Sequence, residues 1–182
     1  MKICIMNFSG RSEGNCKRIA DFINQKLSGE TVIKFDFSRI NVTPCGKCKY
    51  ECFKNRENCP YFSDDVYKIY DTITNSDISL FILPNYCDYP CANYFILNER
   101  SQCYFQGRPD LLEKYLKVRK KFIVISNTGK SNFLRAFEYQ CEELKGADVL
   151  FLSAKRYGKV SLNGDIIESD DAMQEIEKFI SI

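Results

Sequence analysis

Ile78-Ser-Leu-Phe-Ile-Leu83 and Lys121-Phe-Ile-Val-Ile-Ser126 are short, almost unbroken apolar runs, the first halted by Pro84 and the second by Asn127. A strand with one wet face alternates apolar and polar residues. A run that does not alternate must be covered on both faces, as in a parallel sheet. Ile3-Cys-Ile-Met6, the β-branched and aromatic stretch 31–37, and Asp148-Val-Leu-Phe-Leu152 supply three more strands. Between them lie segments with helical spacing. One covers about 15–27 and is closed by Ser28-Gly29. Another opens at Ser63-Asp64-Asp65 and carries Val66, Ile69, Tyr70 and Ile73; further helices are predicted over 91–105, 111–118 and 133–144. Ser169-Asp170-Asp171 caps a last helix with Met173, Ile176, Phe179 and Ile180 on one stripe, and Asn163-Gly164 predicts a hairpin over 159–167. Strands alternating with helices give an α/β chain, one domain over 1–182, with a five-stranded parallel sheet covered on both faces. Ligands of such sheets bind outside the carboxyl ends of the strands.

Three loops follow strands at that edge: 9–15, 84–89 and 126–130. All are polar and carry Gly or Pro, so they are predicted to converge on one crevice. The first, Ser9-Gly-Arg-Ser-Glu-Gly-Asn15, leads straight into a helix. Unpaired N–H groups and the positive end of the helix dipole meet there and stabilise an anion. Ser9, Ser12 and Asn15 add neutral donors, and the Arg11 guanidinium suits two oxygens of one phosphate. A capped strand-to-helix turn with no ligand would read the same way. The loop is neither Gly-x-Gly-x-x-Gly nor the Lys-bearing nucleoside-triphosphate loop, which disfavours a dinucleotide held in the Rossmann manner and ATP.

The chain is 45% hydrophobic and 27% charged with a net charge of +2, so composition gives no argument for nucleic acid. No apolar run reaches membrane-spanning length, and the stretch from Ile3 to Met6 is too short for a signal-peptide core. The expectation is a cytoplasmic protein without membrane or nucleic-acid partners. There are ten cysteines and no histidine. The lack of histidine excludes Ser-His-Asp and Cys-His catalysis and any His-ligated metal, so an enzyme of this composition leaves the chemistry to a cofactor. Cys45, Cys48, Cys52 and Cys59 follow the spacing C-x2-C-x3-C-x6-C. Four thiolates this close can hold a tetrahedral zinc or an iron–sulfur cubane, or can serve as plain packing residues.

The loop from Ser9 to Cys16 resembles the phosphate loop of the flavodoxin-like NAD(P)H-dependent FMN reductases and the related iron–sulfur flavoproteins. The resemblance continues in the cysteine loop running into Asp64-Asp65, in Leu83-Pro84-Asn85-Tyr86, which is similar to the family's Pro-x-Tyr flavin loop, and in Asn98-Glu99-Arg100, where the family usually has Asp-Arg. It spans most of residues 1–130. It implies a flavodoxin-like three-layer sandwich with FMN as cofactor. The FMN phosphate is expected on Ser9, Arg11, Ser12, Gly14, Asn15 and Cys16. The ring is expected against Pro84, Asn85, Tyr86, Cys87 and Asp88, with Asn127, Thr128 and Gly129 on its other side. Cys16 replaces the family's usual hydroxyl residue.

The activity implied is that of an FMN-dependent oxidoreductase taking hydride from NAD(P)H and passing electrons to a small acceptor. No side chain is expected to be catalytic, because the flavin carries the chemistry, and a homodimer or homotetramer is expected. Two alternatives stay open. One is an iron–sulfur flavoprotein for electron transfer, with a [4Fe-4S] cluster on the 45–59 loop, where the related proteins usually have two residues rather than three between the second and third cysteines. The other is a non-catalytic flavin-binding domain with structural zinc.

Overall fold

A computed structural model describes residues 1–46, 48–127 and 147–181. Five strands, β1 (Lys2–Asn7), β2 (Thr31–Asp36), β3 (Ile78–Tyr86), β5 (Arg119–Ser126) and β6 (Asp148–Ser153), pair in parallel in the order β2-β1-β3-β5-β6. A two-residue strand, β4 (Tyr89–Pro90), folds back antiparallel on the end of β3. The described helices are α1 (Asn15–Lys26), α2 (Val66–Thr74), α3 (Ala92–Phe105), α4 (Pro109–Lys117) and α5 (Asp170–Ile180). The expected three-layer flavodoxin-like sandwich is the observed fold. The helix expected over 133–144 lies outside the described residues.

Successive strand residues point to opposite faces, and both faces are covered. Ile3, Ile5, Leu80, Ile82, Ile123 and Ile125 pack with Ile19 and Ile23 of α1 and Ile176 and Ile180 of α5. The intervening Cys4, Met6, Phe81, Leu83, Phe122 and Val124 pack with α2, α3 and α4 through residues such as Ile69, Tyr70, Leu97 and Tyr104. This double burial is why the central strands read as continuous apolar runs. Ser169 caps α5 as expected, its side chain accepting from Ala172 N.

Two expectations need correction. The strand predicted to stop at Pro84 continues to Tyr86, with Pro84 in register beside Ile125. Phe8 N donates to Ile82 O, so that side of β3 faces β1, and Pro84, two residues on, faces the same side beyond the end of β1. No ladder partner there needs the N–H that proline lacks. The hairpin predicted around Asn163-Gly164 is also absent. Residues 154–168 instead form short 3-10 turns, Ala154–Tyr157, Ser161–Asn163 and Ile166–Glu168. Gly164 closes the second of these with φ 71, so the Asn-Gly pair supplies a left-handed stop and not a hairpin corner.

Candidate functional site

The carboxyl edge of the sheet carries a cavity of about 320 Å³ lined by Ser9, Arg11, Gly14, Asn15, Cys16, Pro84, Asn85, Tyr86, Ile125, Asn127, Ser161 and Leu162. The loops after β1, β3 and β5 therefore meet there. A larger cavity, about 560 Å³, opens by Arg119 and Asp148 at the opposite edge, the amino ends of β5 and β6.

The first loop is held from beneath. Asn7, fully buried at the end of β1, accepts from Ser9 N through Oδ1 at 3.0 Å and donates through Nδ2 to Asp36 Oδ1 at 3.1 Å. Ser9 Oγ in turn accepts from Arg11 N at 3.1 Å, which tightens the turn. Asn93 Nδ2, in the first turn of α3, donates to Phe8 O at 2.9 Å. Helix α1 then starts at Gly14 with extended backbone (φ 171, ψ 175) and no side-chain cap. The first turn-closing bond comes from Arg18 N to Gly14 O, so the amides of Asn15, Cys16 and Lys17 have no partner within the helix. With no acidic side chain in that turn, their summed positive field faces the cavity.

Asn15 does something the sequence reading did not assign to it. Its Nδ2 donates to Ser161 O at 3.0 Å and its Oδ1 accepts from Ile166 N at 2.9 Å. The side chain expected on a phosphate is a tie to the 161–166 segment, and only its backbone N–H remains for an anion. Asn127 acts similarly, its Oδ1 accepting from Ser161 N at 3.2 Å. Those ties bring Ser161 and Leu162 into the wall, residues missed because they were read as a hairpin. The close approach of Gly164 to Gly14 completes the closure, since a Cβ on Gly164 would lie 3.3 Å from Gly14 Cα. Burial pushes the Cys16 thiol far up, so the side chain is a neutral thiol and the contribution to an anion is its backbone N–H. Ser12 is exposed and is not among the residues lining the cavity.

On the facing wall, Pro84, Asn85 and Tyr86 line the cavity as expected. Asn85 Nδ2 donates to Ser126 Oγ at 3.2 Å, while its buried Oδ1 has no protein partner. A buried polar atom without a partner is costly unless a ligand or water completes it. Cys87 and Asp88, expected against the ring, are not among the residues lining the cavity. They have φ of 51 and 63, and so form the two-residue turn between Tyr86 and Tyr89 that carries them past the rim. The Tyr86 phenol is shifted upward by burial and by the nearby Cys16 and Cys91 thiols. Thr128 and Gly129 lie outside the described residues.

The cysteine loop sits apart from this cavity's lining. Arg100, fully buried in α3, makes an ion pair with Asp64 at 2.6 Å and donates to Thr43 O and Tyr61 O at 2.6 and 3.2 Å. Burial alone would lower the Arg100 pKa, but the Asp64 hydrogen bond and charge outweigh it and keep the guanidinium charged. Glu99 adds a 2.6 Å bond from Cys45 N. Asp64, expected only as a helix cap, spends Oδ1 on Val66 N and Oδ2 on Thr43 N and Arg100. The loop is thus clamped to α3 by Glu99 and Arg100. Cys52 and Cys59 are buried together with Cys103 of α3, and Cys45 packs against them. The sequence offered no spacing signal for Cys103, because it comes from another element. Among the described residues, no group of three or more Cys, Asp or Glu side chains is arranged to hold a metal ion. Cys45, Cys48, Cys52 and Cys59, the four candidate ligands, are free thiols in this structure. Also among the described residues, no helix is long and apolar enough to cross a membrane.

Similar folds are widespread among solved structures. The Trp repressor binding protein from Bacillus subtilis superposes with a TM-score of 0.67 at 14% identity, covering 98% of this chain and 97% of that one. FerB from Paracoccus denitrificans, a flavoenzyme NAD(P)H:(acceptor) oxidoreductase, gives 0.54 at 16% identity over 98% and 94% of the two chains. An azoreductase from Bacillus anthracis gives 0.58 at 8% identity over 98% and 94%. At such identities the likeness is one of fold. No curated protein is significantly similar in sequence. The family evidence comes from the sequence model of the NADPH-dependent FMN reductases, which matches residues 1–93. That match takes in the Ser9–Cys16 loop, the cysteine loop and the Tyr86–Tyr89 hairpin, just over half of the 182 residues, and the chain belongs to this family of oxidoreductases.

Proposed function

We propose that the cavity at the carboxyl edge holds FMN, and that the protein uses NAD(P)H to reduce it and passes the electrons to a small acceptor. The observation that carries this reading is the uncapped N-terminus of α1 opening into the cavity beside Arg11. Three amides and a guanidinium fit a phosphate dianion. The fit extends to the opposite wall, where the unpartnered Asn85 Oδ1 is an acceptor suited to an N–H of a flavin's pyrimidine edge. Pro84 and Tyr86 offer flat apolar surface for the ring.

FMN, when bound, supplies the hydride and electron chemistry. The chain's own part is to bind, orient and shield. The amides of Asn15, Cys16 and Lys17 and the Arg11 side chain neutralise the phosphate. Asn7 and Asn93 fix the loop that presents them. Asn15 and Asn127 hold the 161–166 wall in place. No general acid is required of the protein. Quinones, free flavins and metal complexes are the acceptor classes that suit an open rim of this kind. The half-exposed Tyr86 and Tyr89 and the exposed Leu162, at 71% accessibility, form an apolar rim that a second subunit would cover in a homodimer or homotetramer.

Arg11→Ala tests the phosphate assignment. Loss of one charge-assisted hydrogen bond, about 1.5–3 kcal/mol, should weaken FMN about 10- to 100-fold. Riboflavin, which lacks the phosphate, should bind wild type and variant alike. Equal FMN affinity for both proteins would refute the assignment.

A further inference from the structure

Half of the protein's ten cysteines gather at one place beside α3. Cys52, in the single-turn helix Glu51–Phe53, has its Sγ 3.5 Å from Sγ of Cys103 in α3, and the two residues are 5% and 3% exposed. Cys45 packs against the buried group of Cys52, Cys59 and Cys103, and Cys48 lies three residues further along the same loop. Cys45 and Cys48 are half-buried and reach solvent, whereas Cys59 is buried beside the inner pair. The cysteines are thus graded from the surface inward, with Cys48 and Cys45 half-buried and Cys103 and Cys52 buried.

We infer that Cys52 and Cys103 are a reversible dithiol/disulfide site for low-molecular-weight disulfides, served from the surface by Cys48 and Cys45. A disulfide bond is about 2.05 Å long, so each sulfur needs to move only about 0.7 Å to close it. The 3-10 turn that carries Cys52 is short and can absorb that movement. The loop backbone, held on α3 by Glu99 and Arg100, keeps the two sulfurs facing.

The chemistry balances through four exchanges. The Cys48 thiolate attacks one sulfur of RSSR, forming Cys48–S–S–R and expelling RS⁻. Cys45 attacks the Cys48 sulfur, forming Cys45–Cys48 and expelling the second RS⁻. Cys103 then attacks Cys45 and frees Cys48, and Cys52 attacks Cys103 and frees Cys45. In sum, Cys52 and Cys103 lose two electrons and two protons, RSSR gains both, and two RSH are released. Cys52 and Cys103 are both buried, so bulky reagents in solution do not reach their sulfurs directly. Direct oxidation is thereby disfavoured and delivery through the partly exposed Cys48 and Cys45 is favoured. An interior pair of this kind, once oxidised, is shielded from reductants that cannot use the same path.

The sequence makes the test clean. Trypsin cuts after Lys47, Lys49, Lys54, Arg56 and Arg100, which places Cys45, Cys48, Cys52, Cys59 and Cys103 on five separate peptides. The purified full-length protein, reduced and then incubated anaerobically with oxidised glutathione, should yield the Cys52 peptide joined to the Cys103 peptide. Thermal unfolding should shift upward by about 5–10 °C, and dithiothreitol should reverse it. Cys103→Ser should abolish both the cross-link and the shift, and circular dichroism of the reduced variant checks that it is folded. Cys48→Ser, at a half-buried position, should leave the pair able to close but slow its formation at least tenfold. A terminal glutathione adduct on Cys48 with Cys52 and Cys103 still reduced would overturn the proposal. So would a Cys59–Cys103 cross-link, or stoichiometric zinc or iron on these thiols in the purified protein.

Discussion

Single residues at this site act mostly by holding other residues. The side chains of Asn7 and Asn15 need touch no ligand, yet each uses both ends of its amide to fix backbone around the cavity. Asn15→Ala removes two bonds, one of them to the buried Ile166 N. A loss of about 2–3 kcal/mol in urea-unfolding stability is expected, together with weaker FMN binding from a loosened wall. Unchanged stability would show that the tie is dispensable. Asp64→Asn is predicted to be more severe. The side chains of Asp64 and Arg100 are 3% and 0% exposed, so the substitution leaves a guanidinium buried without its counter-charge. Breaking such a pair from one side costs about 3–5 kcal/mol, again read by urea unfolding. A cost below about 1 kcal/mol would mean that the carbonyls of Thr43 and Tyr61 satisfy Arg100 alone.

Elements explain what could and could not be read from the sequence. The parallel strands were legible because double burial leaves an unmistakable run of apolar residues, and α1, α2 and α5 because of their apolar stripes, joined in α2 and α5 by Ser-Asp-Asp starts. The phosphate loop was legible from its place between a strand and a helix. What stayed hidden depends on neighbours distant in the chain. Pro84 breaks a strand by local rules, and only the end of β1 beside it makes it harmless. Asn163-Gly164 marks a left-handed stop equally in a hairpin and after a 3-10 turn, and the choice is made by Asn15 and Asn127 some 150 and 35 residues away. Cys103 could not be joined to the cysteine loop by spacing at all. Gly164→Ala tests the element-scale reading. With φ 71 and Gly14 Cα only 3.3 Å from the added Cβ, it should cost about 1–2 kcal/mol. It should also weaken FMN binding by displacing the start of α1. If affinity and stability both match wild type, the segment 161–166 is not the fixed wall described above.

At the scale of the molecule, the sheet places its chemistry at one edge and its packing everywhere else. Strand order β2-β1-β3-β5-β6 reverses direction between β1 and β3, and the crevice opens where the loops after those two strands diverge. Cofactor chemistry explains how a chain with no histidine can be an oxidoreductase, since the protein need only hold and orient the flavin. The most direct test is an anaerobic titration of the FMN-loaded protein with NADPH, and separately NADH, followed by the visible flavin band. The account predicts that at least one nucleotide bleaches the band stoichiometrically, and that adding a quinone restores it. A protein that retains FMN but keeps its full flavin absorbance with excess of both nucleotides would contradict it.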